Sequence, residues 1–329
     1  MKDGVWAMRR REMLAGAAVL ATPPLVQARA QAWPQHPIRM VIPYTPGGAT
    51  DAMARLAAQK LAERLGVNVT PENRAGGNGT VGGMAVVQAP ADGSTILFTA
   101  SIHVMARQVM KAPPYDPLTD FTPVARVGRG PLLLVAPPRL PQGNIAEVVA
   151  AARREPAKWT FAVSSLGSAG HLATLEFNRL AGLDIPVAPY RGSAPGLADV
   201  AAGNMQLMLD PILATLPLAR GGPVKALAIT TATRSAVAPE IPTAAEAGMP
   251  GLEFASWYGI WGPKGLPRPI VARINAEMQA AMADPTVGRR LTELGFEPVA
   301  ESPEAFAAFI ARDVAHNAAL LRAANFQPE

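Results

Sequence analysis

Three stretches of this chain combine glycine with hydroxyl side chains in a way that suits the capture of an anion. They are Pro43-Tyr44-Thr45-Pro46-Gly47-Gly48-Ala49-Thr50-Asp51, Ser164-Ser165-Leu166-Gly167-Ser168-Ala169-Gly170-His171 and Tyr190-Arg191-Gly192-Ser193. Glycine lets backbone N–H groups come within hydrogen-bonding range of a bound group. A helix that starts at such a loop adds unpaired amides and the positive end of its dipole. Together the loops describe a carboxylate or phosphate site with little need of cationic side chains. Each alone also reads as an ordinary strand-to-helix turn with its N-cap. What favours a site is that all three would open at the same end of a sheet.

Other motifs carry less. Gly77-Asn78-Gly79-Thr80-Val81-Gly82 has the GxGxxG spacing of a dinucleotide loop, but such a loop follows its strand directly and has an acidic residue about 20 positions on. Here the expected strand ends earlier and Ser101-Ile102-His103 occupies the distant position, so a turn before a helix is the better reading. The histidines His36, His103, His171 and His316 show neither HxH nor HExxH spacing, so no metal site is expected. Ser168, His171 and Asp210 form a hydrolytic triad only on paper, since no GxSxG elbow presents the serine. Asp210-Pro211 has two readings that stay open together: a carboxylate facing a cleft, or an N-cap with proline at the first helical position. Asp51 reads as a residue that matches the dipole of a helix start. Trp257, Tyr258 and Trp261 read as core or hinge packing.

The elements that would position these loops alternate along the chain. Strands are expected at residues 38–43, 67–70, 95–99, 132–136, 159–163, 185–189, 205–209, 225–230 and 254–261, from short apolar, β-branched runs. Helices are expected at residues 50–65, 81–88, 145–154, 171–181, 194–202, 269–283, 287–294 and 303–324. In the first helix Met53, Leu56, Ala57, Leu61 and Leu65 share a face, and Gly66 is the stop. Residues 113–123 read as a proline-rich passage. Strands alternating with helices of this length argue for an α/β fold with parallel sheets covered on both faces. In such folds ligands bind beyond the carboxyl ends of the strands, which is where the three loops fall.

Composition closes several function classes. A chain of 329 residues has room for two domains and a sizeable core. It contains no cysteine, which excludes disulfides, thiolate metal sites and cysteine nucleophiles. Apolar residues make up 49% and charged residues 17%, against the usual quarter charged for a soluble domain. Much of the +5 formal charge lies before residue 33, in Lys2, Arg9, Arg10, Arg11 and Arg29. The remainder carries no nucleic-acid footprint.

That basic start precedes the short apolar run Met13-Leu14-Ala15-Gly16-Ala17-Ala18-Val19-Leu20-Ala21 and the small-residue sites Ala28-Arg29-Ala30 and Ala30-Gln31-Ala32. This is the pattern of a secretory signal peptide over residues 1–32, with Arg10-Arg11 fitting the twin-arginine form and Sec export the competing reading. The mature chain is expected to begin near Gln31 or Trp33. The run is too short to span a bilayer, so a soluble periplasmic protein is expected.

Laid out in order, further motifs carry a resemblance. Val41-Ile42-Pro43-Tyr44-Thr45-Pro46-Gly47-Gly48 with Asp51, Glu72-Asn73-Arg74, Ala91-Asp92-Gly93 and Pro114-Tyr115-Asp116-Pro117 are followed by Gly167-Ser168 with His171-Leu172, Pro189-Tyr190-Arg191-Gly192, Ala226-Leu227-Ala228, Ile241-Pro242-Thr243, Trp257, Gly259 and Pro263. This series resembles the Bordetella uptake gene (Bug) family, the extracytoplasmic receptors of tripartite tricarboxylate transporters, over nearly the whole mature chain. The resemblance implies a type II periplasmic binding protein: two α/β domains, residues 33–130 plus 256–329 and 131–255, joined by two crossing strands with a ligand cleft between them. It implies capture of a small organic carboxylate by a monomer that delivers it to the transporter's membrane subunits, without catalysis, cofactor or metal.

Ligand contacts implied by the motif are Tyr44, Gly47 and Gly48 on one side and Ser164, Ser165 and Ser168 on the other. Ser101, His103, Tyr190, Gly192 and Asp210 fall near the cleft. One departure stands out: Ala106-Arg107 replaces the Asn-Pro of many relatives, which alters the inner wall. Two other classes stay open at this point, an exported nicotinamide- or flavin-dependent oxidoreductase and a carboxylate sensor without its own transporter. If Asp210 faces the cleft, it disfavours a second negative group nearby and favours a donor or an uncharged body on the ligand.

Overall fold

The computed structural model describes residues 33–329, so the expected signal peptide and its cleavage sites lie outside the described residues. Ten strands follow one another as β1 (Ile38–Ile42), β2 (Val69–Asn73), β3 (Thr95–Ala100), β4 (Phe121–Ala136), β5 (Phe161–Val163), β6 (Val187–Pro189), β7 (Leu207–Pro211), β8 (Lys225–Ile229), β9 (Ala255–Pro263) and β10 (Glu297–Pro298). The helices are α1 (Ala49–Leu65), α2 (Thr80–Val87), α3 (Ala106–Val109), α4 (Ile145–Arg154), α5 (Ala169–Ala181), α6 (Ser193–Ala202), α7 (Ile212–Gly221), α8 (Arg268–Met282), α9 (Pro285–Glu293) and α10 (Pro303–Ala323).

The strands run in the order β2-β1-β3-β9-β4-β7-β5-β6, with β10 and β8 also paired to β4. Pairing is parallel in β2-β1-β3 and in β6-β5-β7, as the strand–helix alternation predicts. It is antiparallel where β9 and β4 join these two groups. Strand β4 serves both: Phe121–Pro131 pairs with β9, and Leu132–Ala136 pairs with β7 and β8. Its second half shows why a sheet buried on both faces reads as an unbroken apolar run. Leu132, Leu134 and Ala136 enter the core that holds Phe161 and Phe177, while Leu133 and Val135 enter the one that holds Met208 and Ile212.

The first half of β4 departs from the sequence expectation, which began this strand at residue 132. Pro123, Gly128, Gly130 and Pro131 argue for a loop on local grounds. The structure accommodates them by register shifts against β9 between Pro123 and Ala125 and between Arg126 and Gly128, since a bulge removes the need for a regular ladder at those residues. Helix α7, which the sequence offers only as a helix start at Asp210-Pro211, continues through Pro217, although proline there removes a helical hydrogen bond. Helix α1 follows expectation, burying Met53, Ala57 and Leu61 and ending at Gly66 with φ +70°.

Where β4 leaves one group of strands for the other, buried Thr230 ties three chain segments together. Its hydroxyl accepts from the Leu132 N–H at 2.9 Å and donates to the Phe254 carbonyl at 2.6 Å, and its amide donates to the Leu132 carbonyl at 3.0 Å. Removing the hydroxyl strands buried backbone groups, a loss of about 1–3 kcal/mol. Thr230→Val, which keeps the shape, is therefore expected to lower stability by that amount in urea unfolding. Wild-type stability in the variant would show that water or backbone takes over these bonds.

Candidate ligand-binding site

The first glycine-rich loop leaves β1 and opens α1, and its shape is set by Asp51. This buried carboxylate accepts from the Gly47 amide at 3.0 Å, from Arg55 at 2.9 and 3.0 Å and from Asn73 at 2.9 Å. Burial works against its ionisation, but the bonds from Arg55, Gly47 and Asn73 outweigh it and hold the carboxyl below the usual carboxylate range. Asp51 thus organises the loop from behind, and the Gly47 amide is committed to it. The amides left for an anion are those of the first turn of α1, which have no acceptor within the helix. Gly48 is the N-cap, with an ordinary extended backbone (φ −82°, ψ 173°), and nothing lies within 4 Å of where a Cβ would stand. The fold does not need glycine at this position, and the space beside it is open.

Behind that loop is a narrow crevice lined by Tyr44, Asn78, Gly79, Thr99, His103 and Tyr115 among others. Tyr44 meets Thr99 at 3.4 Å, and burial pushes its hydroxyl up to about 12. His103 packs against the rings of Tyr115, Phe121 and Trp261, with its Nδ1 3.4 Å from the Tyr115 hydroxyl. Burial pulls it down to about 3, so it is neutral at physiological pH. Its Nε2 is buried without a partner among the described residues. Ser101 is buried at the head of the same short 3-10 turn after β3. Ala106, which carries the departure noted in the sequence, lines the crevice at the start of α3.

The second loop follows β5 and opens α5. Ser168 is the N-cap, its hydroxyl accepting from the His171 amide at 3.2 Å, so that side chain serves the helix. His171 is fully buried, accepts from the Gly167 amide through Nδ1 at 3.0 Å and is pulled by burial down to about 4. Ser168, His171 and Asp210 form no relay. Gly170 lets α5 sit directly on β7, since a Cβ would lie 2.1 Å from the Leu209 carbonyl. The third loop is pinned to the second by the Gly192 amide donating to the Ser164 carbonyl at 2.8 Å. Tyr190 turns its hydroxyl onto Asp199 of α6 at 2.5 Å, which places that group on the helix rather than in the crevice.

Asp210 lies in β7, opposite Leu133, and is fully buried. It does not cap α7, whose N-cap is Pro211 with no side-chain bond. Burial pushes its carboxyl up to about 7, while the hydroxyls of Ser193 and Ser164 favour its charge. Neither oxygen completes a hydrogen bond among the described residues. The sequence reading named Ser164 as a contact, whereas Ser193 entered it only as the last residue of the third loop.

The sequence reading also treated Asn78 only as part of a turn. In the structure it joins the two sides of the site. Its Nδ2 donates to the Leu166 carbonyl at 3.2 Å and its Oδ1 accepts from the Ser165 hydroxyl. Asn78 has φ 54°, ψ 34°, between glycines that are also at positive φ. An asparagine flanked by glycines is the sequence signal of such a left-handed turn. The GxGxxG spacing therefore builds this turn. The last glycine in it, Gly82, lets α2 approach Pro43, whose Cα would be 2.8 Å from a Cβ.

The buried carboxyl of Asp210 has a measurable consequence. Its folded-state pKa lies above the value of about 3.9 of an unfolded chain, so between about pH 4 and 7 the native state holds a proton that the unfolded state has lost. Its contribution makes stability fall as pH rises through that window and level off above it. Asp210→Asn is expected to remove this part of the slope, giving a smaller drop in denaturation midpoint between pH 5 and 7.5 than the wild type shows. Equal slopes would mean that the carboxyl ionises freely in the native state.

Residues 53–326 match the sequence profile described as the tripartite tricarboxylate transporter family receptor. The chain is 35% identical over 295 residues to the protein BugT of Bordetella pertussis, covering 89% of this chain and 90% of that one. Among solved structures it resembles Rpa4515 of R. palustris, determined with adipate, at 37% identity and a TM-score of 0.85, covering 91% of this chain and all of that one. MatC of Rhodopseudomonas palustris, determined with bound malate, matches at 32% identity and a TM-score of 0.79, covering 88% and 99%. Two groups of parallel strands joined through β4 and β9, with a loop from each meeting at Asn78, are thus the periplasmic-binding-protein fold that the resemblance implied, and the chain belongs to the tripartite tricarboxylate transporter receptor (Bug) family.

Proposed function

We propose that this protein is a periplasmic receptor that captures a small organic carboxylate between two lobes and presents it to the membrane subunits of a tripartite tricarboxylate transporter. The single observation that carries the reading is family membership, supported by two glycine- and hydroxyl-rich loops that open helices α1 and α5 and by the Asn78 contact that joins the two groups of strands. The lobes are residues 33–130 plus 256–329 and residues 131–255, with β4 and β9 as the connection between them. Two structural relatives were determined with dicarboxylates, adipate and malate, which supports an acid of that class.

The lining favours recognition by neutral groups. Tyr44, Thr99 and the uncharged His103 offer hydrogen bonds without a formal charge. A carboxylate is held by first-turn amides of α1 and α5, with Gly48 leaving room for its approach. Among the named candidates, Gly47 and Ser168 shape these loops from behind through Asp51 and His171, and Ser164 with Asp210 underlies the second loop. Residues 1–32 are the export signal in this reading, and the protein acts as a monomer without catalysis.

A thermal-shift screen of organic acids tests the function directly, because a ligand at 100 times its dissociation constant stabilises the native state by about 2.7 kcal/mol. One or more dicarboxylates are expected to raise the melting temperature, and no response to mono-, di- or tricarboxylates would overturn the reading. Gly48→Val should leave the melting temperature of the free protein unchanged while weakening the bound acid by more than about tenfold, roughly 1.4 kcal/mol. Unchanged affinity by calorimetry would remove this loop from the clamp.

A further inference from the structure

A space with room for a small molecule lies outside the crevice beside Tyr44. It is a cavity of about 410 Å³ along α5, between that helix with its following turn on one side and the end of α10 with the C-terminal tail on the other. Small-molecule sites span about 300–1,000 Å³. Leu175, Leu183, Ile185 and Val187 form one wall, and Leu320 and Phe326 supply the other. Most of the polar groups around it are committed. Asn178 exchanges two bonds with the backbone of Ile185, at 2.9 and 3.3 Å. Arg179 holds Glu176 through two nitrogens, at 2.8 and 2.6 Å. His171 is different. Its Nδ1 accepts from the Gly167 amide, so the neutral ring carries its proton on Nε2. That N–H lies on the other side of the ring, is fully buried and has no acceptor among the described residues. The ring of Phe326 stands beside the imidazole, with centroids 5.2 Å apart at 60°. Both residues line the cavity.

We propose that this cavity is a second binding site, for a neutral, largely apolar molecule whose acceptor oxygen takes the His171 Nε2–H, with the Phe326 ring turning aside to admit it. The inference goes beyond the carboxylate reading and does not rest on it. A buried donor is costly to leave without a partner, and a carbonyl, ester or ether oxygen satisfies it without bringing a charge. A carboxylate fits poorly. His171 is uncharged, Arg179 is taken up by Glu176, and the exposed Asp184 adds a negative charge at the rim. An anion buried there would have no counter-charge. Phe326 is half-buried and follows the end of α10. The chain beyond it is held separately by Glu329, whose amide donates to the Val109 carbonyl at 3.1 Å and whose carbonyl accepts from the Lys111 amide at 3.0 Å. The ring therefore turns without unfastening the tail.

Three ligands of similar shape test this on the full protein: benzylacetone, a ketone; hydrocinnamate, its carboxylate counterpart; and butylbenzene, which has no acceptor. In NMR titrations of isotope-labelled protein the ketone is expected to shift the His171 imidazole signals and the amides of Leu175 and Ala323, and to do so at lower concentration than the other two. Ala323→Trp, at the exposed end of α10, fills the cavity from the side opposite His171 and is expected to abolish these shifts. His171→Asn keeps an acceptor for the Gly167 amide where Nδ1 stood and removes the Nε2–H. Ketone affinity is expected to fall about fivefold in it, the loss of one neutral hydrogen bond. Should that variant fail to fold, the ranking of ketone over butylbenzene in the wild type decides the same point. No shift at Leu175 and Ala323 with any of the three, or shifts that persist in Ala323→Trp, overturns the site. Equal binding of ketone and butylbenzene overturns the role of His171. Tighter binding of hydrocinnamate at the same amides, lost in Ala323→Trp, overturns the neutral ligand class.

Discussion

The structure depends on one strand being shared. β4 pairs with β9 over its first half and with β7 and β8 over its second, and this forces two groups of parallel strands to face each other across a common spine. Parallel strands bring all their helix-opening loops to one end. When two such groups share a spine, loops from both are brought together, and the Asn78 turn meets the loop after β5. Thr230 secures the point of exchange by bonding β4, the end of β8 and the approach to β9.

The site that results is built on backbone amides and neutral polar side chains. Its charged residues work at one remove: Asp51 satisfies the Gly47 amide and two side chains while holding the first loop, and Asp210 lies buried beneath the second with two serine hydroxyls beside it. Burial keeps His103 and His171 uncharged. In the proposed reading a carboxylate would meet the starts of α1 and α5, whose partial positive charge is fixed in place, with no flexible cation to be ordered. Such an arrangement would recognise the end group common to many acids and leave discrimination to the shape of the site.

Much of this is written locally in the chain. The alternation of strands and helices, the face of α1, the stop at Gly66 and the three glycine- and hydroxyl-rich loops are visible in residue types and spacing, because each rests on interactions between near neighbours. The first half of β4 and the body of helix α7 past its start were not, for the same reason in reverse. Their prolines and glycines oppose strand and helix locally, and only pairing with β9 and the tertiary packing of Ile212 overcome that preference.

At the proposed site, sequence determined which residue types its loops carry, and tertiary structure decided what each one does. Gly47, Ser168 and Tyr190 look alike as candidates, yet their polar groups are taken up by Asp51, the His171 amide and Asp199. Asp210 and Pro211 carry a helix-cap pattern, yet the aspartate lies in β7, buried beside Ser164 and Ser193. Asn78 reads as a turn residue, which it is, but its partners lie 87 and 88 residues away in sequence. Spacing along a chain encodes which groups share a turn or a face. It does not encode which of two distant loops will close on the other, because that is set by the spine that brings them together.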